Sequence, residues 1–76
     1  MHKVRFALPE TSPVRLAIYN LSGKEVRLLL AGNLPAGEHQ ALWDGRDNLG
    51  CAANEEVYFY RLDCRSFHQV RKLVRA

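Results

Sequence analysis

The chain has 76 residues, 47% of them hydrophobic and 25% charged, which fits one globular domain and excludes intrinsic disorder. A net charge of +3 permits contact with an anionic partner without demanding it, because the basic residues are spread out except at Arg71, Lys72 and Arg75. No apolar run approaches the roughly 20 residues that cross a bilayer, so membrane insertion is not expected, and no apolar signal-peptide core follows Lys3 and Arg5.

Alternation of apolar and polar residues dominates, and helical spacing is scarce. Val4, Phe6 and Leu8 alternate with Lys3, Arg5 and Ala7 until Pro9 stops the strand. After a turn at Glu10-Thr11-Ser12-Pro13, a second strand runs through Val14, Leu16 and Ile18, and its apolar Tyr19 suggests that both faces are used. Asn20-Leu21-Ser22-Gly23-Lys24 reads as a hairpin turn into a third strand, with Val26, Leu28 and Leu30 on one face. Pro35 and Gly37 mark the next connection, and His39, Ala41 and Trp43 form a fourth strand. Trp43 is the only tryptophan and is followed at once by Asp44-Gly45-Arg46-Asp47-Asn48-Leu49-Gly50, a dense turn signal. A large ring beside a polar corner is architecture: the ring anchors a core and Asp44-Gly45 turns the strand. Cys51 to Glu56 reads as loop. Val57 to Leu62 is the strongest strand, and Phe67 to Val74 forms the last.

Six or seven short strands with turns between them predict an all-β fold, a small antiparallel β-sandwich or barrel, with sequential pairing as the default. The expected core is Phe6, Leu16, Ile18, Leu28, Trp43, Tyr60 and Leu62. Cys51 and Cys64 bracket one strand, and a strand of that length holds its ends beyond disulfide reach, so two free thiols are expected unless a common neighbour brings the ends together.

Residues able to carry chemistry are present but not arranged for it. His2, His39, Cys51, Cys64 and His68 lack the paired spacing of zinc ligands. Asp44, Asp47 and Asn48 lack the alternate positions and closing Glu of a calcium loop and are read as turn caps. Ser12, Ser22 and Ser66 lie in turns without a glycine elbow, and Gly23-Lys24 lacks the rest of a phosphate loop. Glu55 and Glu56 are adjacent, so on an extended chain they point to opposite faces and do not cooperate as acid and base. Tyr58 and Tyr60 share one face of their strand and Phe59 takes the other, where exposure beside Arg61 would make a partner-binding patch. No catalytic residue, metal or cofactor is assigned.

Several pieces fall in a recognisable order: Phe6-Ala7-Leu8-Pro9-Glu10, Val14 to Arg27, Leu34-Pro35-Ala36-Gly37-Glu38-His39, Trp43-Asp44-Gly45-Arg46-Asp47, Val57 to Leu62, and Arg71-Lys72-Leu73-Val74. Together they resemble the FlgD-type immunoglobulin-like domain, named for the flagellar hook-capping protein. They are also similar to the C-terminal sorting domains of cargo exported by type IX secretion. The resemblance implies a small immunoglobulin-like β-sandwich spanning residues 1–76, cut from the C-terminal end of a larger exported protein and carrying no catalytic residues. It implies a role in sorting, surface attachment or scaffolding, in the secreted or cell-surface compartment. Its partners would be proteins of the secretion machinery or other domains of the parent, and an open edge strand offers a route to homo-oligomers. The export information would lie in the last strand and tail, Val70, Arg71, Lys72, Leu73, Val74 and Arg75. The alternatives are a hook-capping assembly domain of the flagellar hook or periplasm, and a small basic β-barrel that binds single-stranded nucleic acid, although nucleic acid is not the expected partner. One departure stands out: Asn54-Glu55-Glu56 replaces the small residue and glycine usual before the Val-Tyr-Phe-Tyr strand, so the local turn is expected to differ.

Overall fold

Six strands follow the alternation: β1 (His2–Leu8), β2 (Ser12–Tyr19), β3 (Glu25–Leu34), β4 (Gly37–Trp43), β5 (Val57–Asp63) and β6 (His68–Val74). The computed structural model describes residues 2–75, and no helix occurs among them. The strands form two antiparallel sheets, a two-stranded β1-β4 ribbon and a four-stranded sheet ordered β3-β2-β5-β6. Neither sheet closes on itself, so the fold is a sandwich and the barrel alternative is set aside.

Pairing is sequential only in part. β2–β3 and β5–β6 are hairpins, but β1 pairs with β4 and β2 pairs with β5. The reason lies in the apolar faces. Val4, Phe6 and Leu8 of β1 and Val14 and Leu16 of β2 belong to one buried cluster, so the two strands face each other across the sandwich. The chain changes sheets at Pro9, which has no N–H to give to a ladder. Ser12 sits at this crossing, buried, with its Oγ accepting the Arg65 N–H at 2.8 Å.

Two residues of the expected core are placed differently. β3 carries one extra residue between Leu30 and Leu28 and another between Arg27 and Glu25 relative to β2. These bulges break the simple alternation. Leu29, Leu30 and Val26 therefore pack against the core, while Leu28 faces Ala17 on the outer side of the sheet. On β5 the deepest ring is Tyr58, and Tyr60 is half-buried where the two core clusters meet. Phe6, Leu16, Ile18, Trp43 and Leu62 are buried as expected.

Trp43 is fully buried and meets Tyr58 edge-on, with ring centroids 5.1 Å apart. Its indole N–H donates to the Arg46 carbonyl at 2.9 Å, so the corner residues satisfy the ring's one polar atom. The departure at Asn54-Glu55-Glu56 has a local solution. No residue other than glycine adopts positive φ among the described residues, and the Tyr58 hydroxyl accepts the Glu55 N–H at 2.8 Å, fixing the entry into β5 without a glycine.

Candidate interaction surface

The tail singled out by the sequence is divided by the pleat. Tyr58, Tyr60 and Leu62 point inward, and their ladder partners are Leu73, Arg71 and Gln69. Leu73 is half-buried against the Ile18–Trp43–Tyr58 cluster, whereas Arg71 lies beyond its cover and is exposed. Val70, Lys72 and Val74 occupy the other face of β6, opposite Arg61, Phe59 and Val57. Val70 is 60% exposed and Val74 is 58% exposed. Phe59 is half-buried between Tyr19 of β2 and Lys72 of β6, and Arg61 stands exposed beside it. The outer face at this end of the sheet is thus apolar with cations set into it.

Arg75 is the tail residue that packs most closely on the body of the domain. It is half-buried, with its guanidinium carbon 5.3 Å from the Trp43 ring centroid and 5.9 Å from that of Tyr58. The guanidinium donates to the Ala53 carbonyl, and the Arg75 backbone N–H donates to the Glu56 carbonyl at 2.7 Å. A Cβ added at Gly45 would lie 3.0 Å from Arg75 Nη2. Arg75 is therefore a cap on the core. Sequence reasoning missed this because nothing in the local pattern links the end of β6 to a glycine after Trp43.

At the other end of β6 a charge cluster closes the β5–β6 hairpin. Asp63 Oδ1 accepts from Arg61 Nε at 2.9 Å and lies 2.5 Å from His68 Nδ1. Partial burial acts to raise the Asp63 pKa, but the hydrogen bonds from Arg61 and His68 outweigh it and hold the carboxyl below its ordinary 3.8. A depressed folded pKa means that the unfolded chain takes the proton first. The stabilisation is complete above the ordinary value and is lost as pH falls through the folded value. Denaturant midpoints measured from about pH 5 to about pH 2 should fall more for the wild type than for Asp63→Asn, and parallel curves would refute the coupling.

Asp44, Asp47 and Asn48 are occupied in holding the corner after Trp43. Asp47 Oδ1 accepts the N–H groups of Leu49 and Cys51, each at 2.9 Å, and Asp44 Oδ1 accepts that of Arg46 at 3.0 Å. Asn48 Oδ1 accepts the Leu28 N–H at 2.9 Å, and the Asn48 N–H donates to the Val26 carbonyl at 2.9 Å, tying the corner to β3. These carboxylates and amides are turn caps, as their spacing suggested. Cys51 and Cys64 are unbridged, and the Cys64 thiol donates to the Phe67 carbonyl. Among the described residues no three His, Cys, Asp or Glu side chains converge. The cleft over Arg5, Phe6 and Ala7 of β1 and Glu38, His39 and Gln40 of β4 offers no paired acid and base, since Glu38 and His39 point to opposite faces.

Residues 2–62 match the family model for the FlgD Ig-like domain. The chain belongs to the FlgD Ig-like domain family. No curated protein and no solved structure matches it. The FlgD Ig-like match takes in β1 to β4 and all of β5 but its last residue, and every buried core residue lies within it. β6, with its exposed Val70, Lys72 and Val74, lies beyond the matched residues.

Proposed function

We propose that this FlgD Ig-like domain is a non-catalytic module that serves a larger exported protein as its sorting, attachment or scaffolding domain, with β6 as the strand that protein partners read. The observation that carries the reading is the division of labour in β6. Leu73 and Arg75 hold the strand on the core, while Val70, Arg71, Lys72 and Val74 are offered to solvent along a sheet edge. Asp44, Asp47, Asp63 and His68 are committed to turn caps and hairpin closure, which supports a binding role for this domain. On this reading the parent protein is delivered outside the cell or to its surface.

Deleting the chain from Val70 onward removes Leu73 and Arg75 from the core together with the exposed groups, so it tests folding as much as recognition. Charge reversal at Arg71→Glu with Lys72→Glu leaves the packed residues in place. In a host with type IX secretion, a cargo carrying the wild-type domain is expected in the medium or on the surface, and the doubly reversed fusion is expected to stay inside. Equal export of both fusions, with unchanged thermal melts, would overturn the sorting role.

The family match also supports hook-capping assembly. That reading predicts co-sedimentation of the domain with hook protein, and the absence of any such complex removes it.

A further inference from the structure

The backbone of β6 has one side engaged and one side open. At one end of the β5–β6 ladder the Arg75 N–H donates to the Glu56 carbonyl, and just past the other end the Cys64 N–H donates to the Phe67 carbonyl. Hydrogen-bonded pairs alternate with non-bonded pairs along an antiparallel ladder. Counting inward in the observed register, Leu73, Arg71 and Gln69 bond to β5, and His68, Val70, Lys72 and Val74 turn their N–H and C=O groups away from it. Among the described residues no strand lies on that side, since β6 ends the sheet order.

The open edges of the fold are not equivalent. β3 is blunted by its two bulges and by Asn48, which binds the backbone of both Val26 and Leu28. In the two-stranded ribbon, β1 is basic, with Lys3 and Arg5, but exposes no large apolar side chain, and β4 exposes a single one, Leu42, with the acidic Glu38 and no cation. β6 has a regular register and joins exposed Val70 and Val74 to Arg71 and Lys72, neither of which has an acidic partner among the described residues.

We infer that the outer edge of β6 is a strand-addition site for an extended segment of another protein in which apolar residues flank a pair of carboxylates. This rests on the reading of β6 as the docking strand and names the chemistry of the partner. Backbone pairing supplies attachment, and cross-strand side-chain pairs supply choice. Apolar partners would continue the face formed by Phe59, Val70 and Val74, and carboxylates would neutralise Arg71 and Lys72. A second copy of the chain does not fit. β6 contains no carboxylate, and the antiparallel register of greatest overlap sets Arg71 against its own counterpart at about 4.5 Å between Cα atoms.

The test uses the 76-residue chain and a synthetic peptide with a Val-Val-Glu-Glu-Val centre. Binding is expected to slow hydrogen exchange at the amides of Val70, Lys72 and Val74 while leaving those of Gln69, Arg71 and Leu73 unchanged. Val70→Pro removes an outward N–H at an edge position where proline is tolerated, and should weaken binding about tenfold with little change in the melt. Arg71→Glu with Lys72→Glu should abolish binding of this peptide and favour its Lys-Lys counterpart. Protection spread over both sets of amides, protection confined to another strand, or full binding by the proline variant would overturn the inference. Peptide binding alongside normal export of the charge-reversed fusion would remove the sorting role alone. Loss of export in that fusion without any peptide protection would remove strand addition alone.

Discussion

Trp43→Ala is expected to remove between about a third and all of the domain's folding free energy. Truncating a buried large aromatic costs about 3–5 kcal/mol, and a domain of this size has only about 5–10 kcal/mol to lose. The ring is fully buried, meets Tyr58 edge-on, supports Arg75 on its face and donates its N–H to the Arg46 carbonyl. Alanine would leave a cavity beneath the cap and leave the Arg46 carbonyl without its donor. Each kcal/mol lost lowers the melting temperature by about 4–8 °C in a domain this small. Trp43→Phe should fall between wild type and alanine, because phenylalanine keeps most of the packing and loses the hydrogen bond. A melt of Trp43→Ala within a few degrees of wild type would refute the central place given to this ring.

Arg75→Ala is expected to cost about 2–3 kcal/mol, combining cation–π contact on two rings with a charge-assisted hydrogen bond to the Ala53 carbonyl. The loss is unusually large for a half-exposed arginine because the side chain roofs the most deeply buried part of the molecule. Arg75→Lys should recover only part of it, since an ammonium lacks the planar face that lies over indole and phenol. Gly45 makes room for the guanidinium and sits at φ +79°, so Gly45→Ala is strained by the backbone and crowds Nη2 together. In a double-mutant cycle the two substitutions should be less than additive, because removing Arg75 relieves the crowding at residue 45. Strict additivity in urea melts would show that the cap does not rest on Gly45.

The alternation of β1, β2, β4 and β5 is enough to read an all-β fold, because a strand half-buried on one face writes that burial into every second residue. It leaves sandwich and barrel open, and the choice between them came from the family resemblance. β3 resisted the same reading. Its bulges at Val26 and Leu29 shift which leucines face inward, and Leu28-Leu29-Leu30 is apolar on both sides of the slip. Strand pairing was also hidden, since Val4, Phe6 and Leu8 would look the same whether β2 lay beside them or across from them. In the tail, a last strand with a locally basic end was legible, but not that Val70 and Val74 are exposed while Leu73 packs on the core. Nor was the place of Arg75 legible, because its partners Trp43, Gly45 and Ala53 come together only in the folded chain.

The ladder between β2 and β5 bears on how the molecule is made. β2 is an inner strand whose second neighbour, β5, comes from the far half of the chain, with Tyr19 facing Phe59. The β2–β3 and β5–β6 hairpins are local and can form early, but the join between them must await closure of the long intervening segment. On a ribosome the N-terminal part would emerge able to form the β1–β4 ribbon and the β2–β3 hairpin, but with the second edge of β2 still lacking β5. Completion of the four-stranded sheet therefore waits for β5, and any factor that delays β5 would leave the inner edge of β2 unpaired.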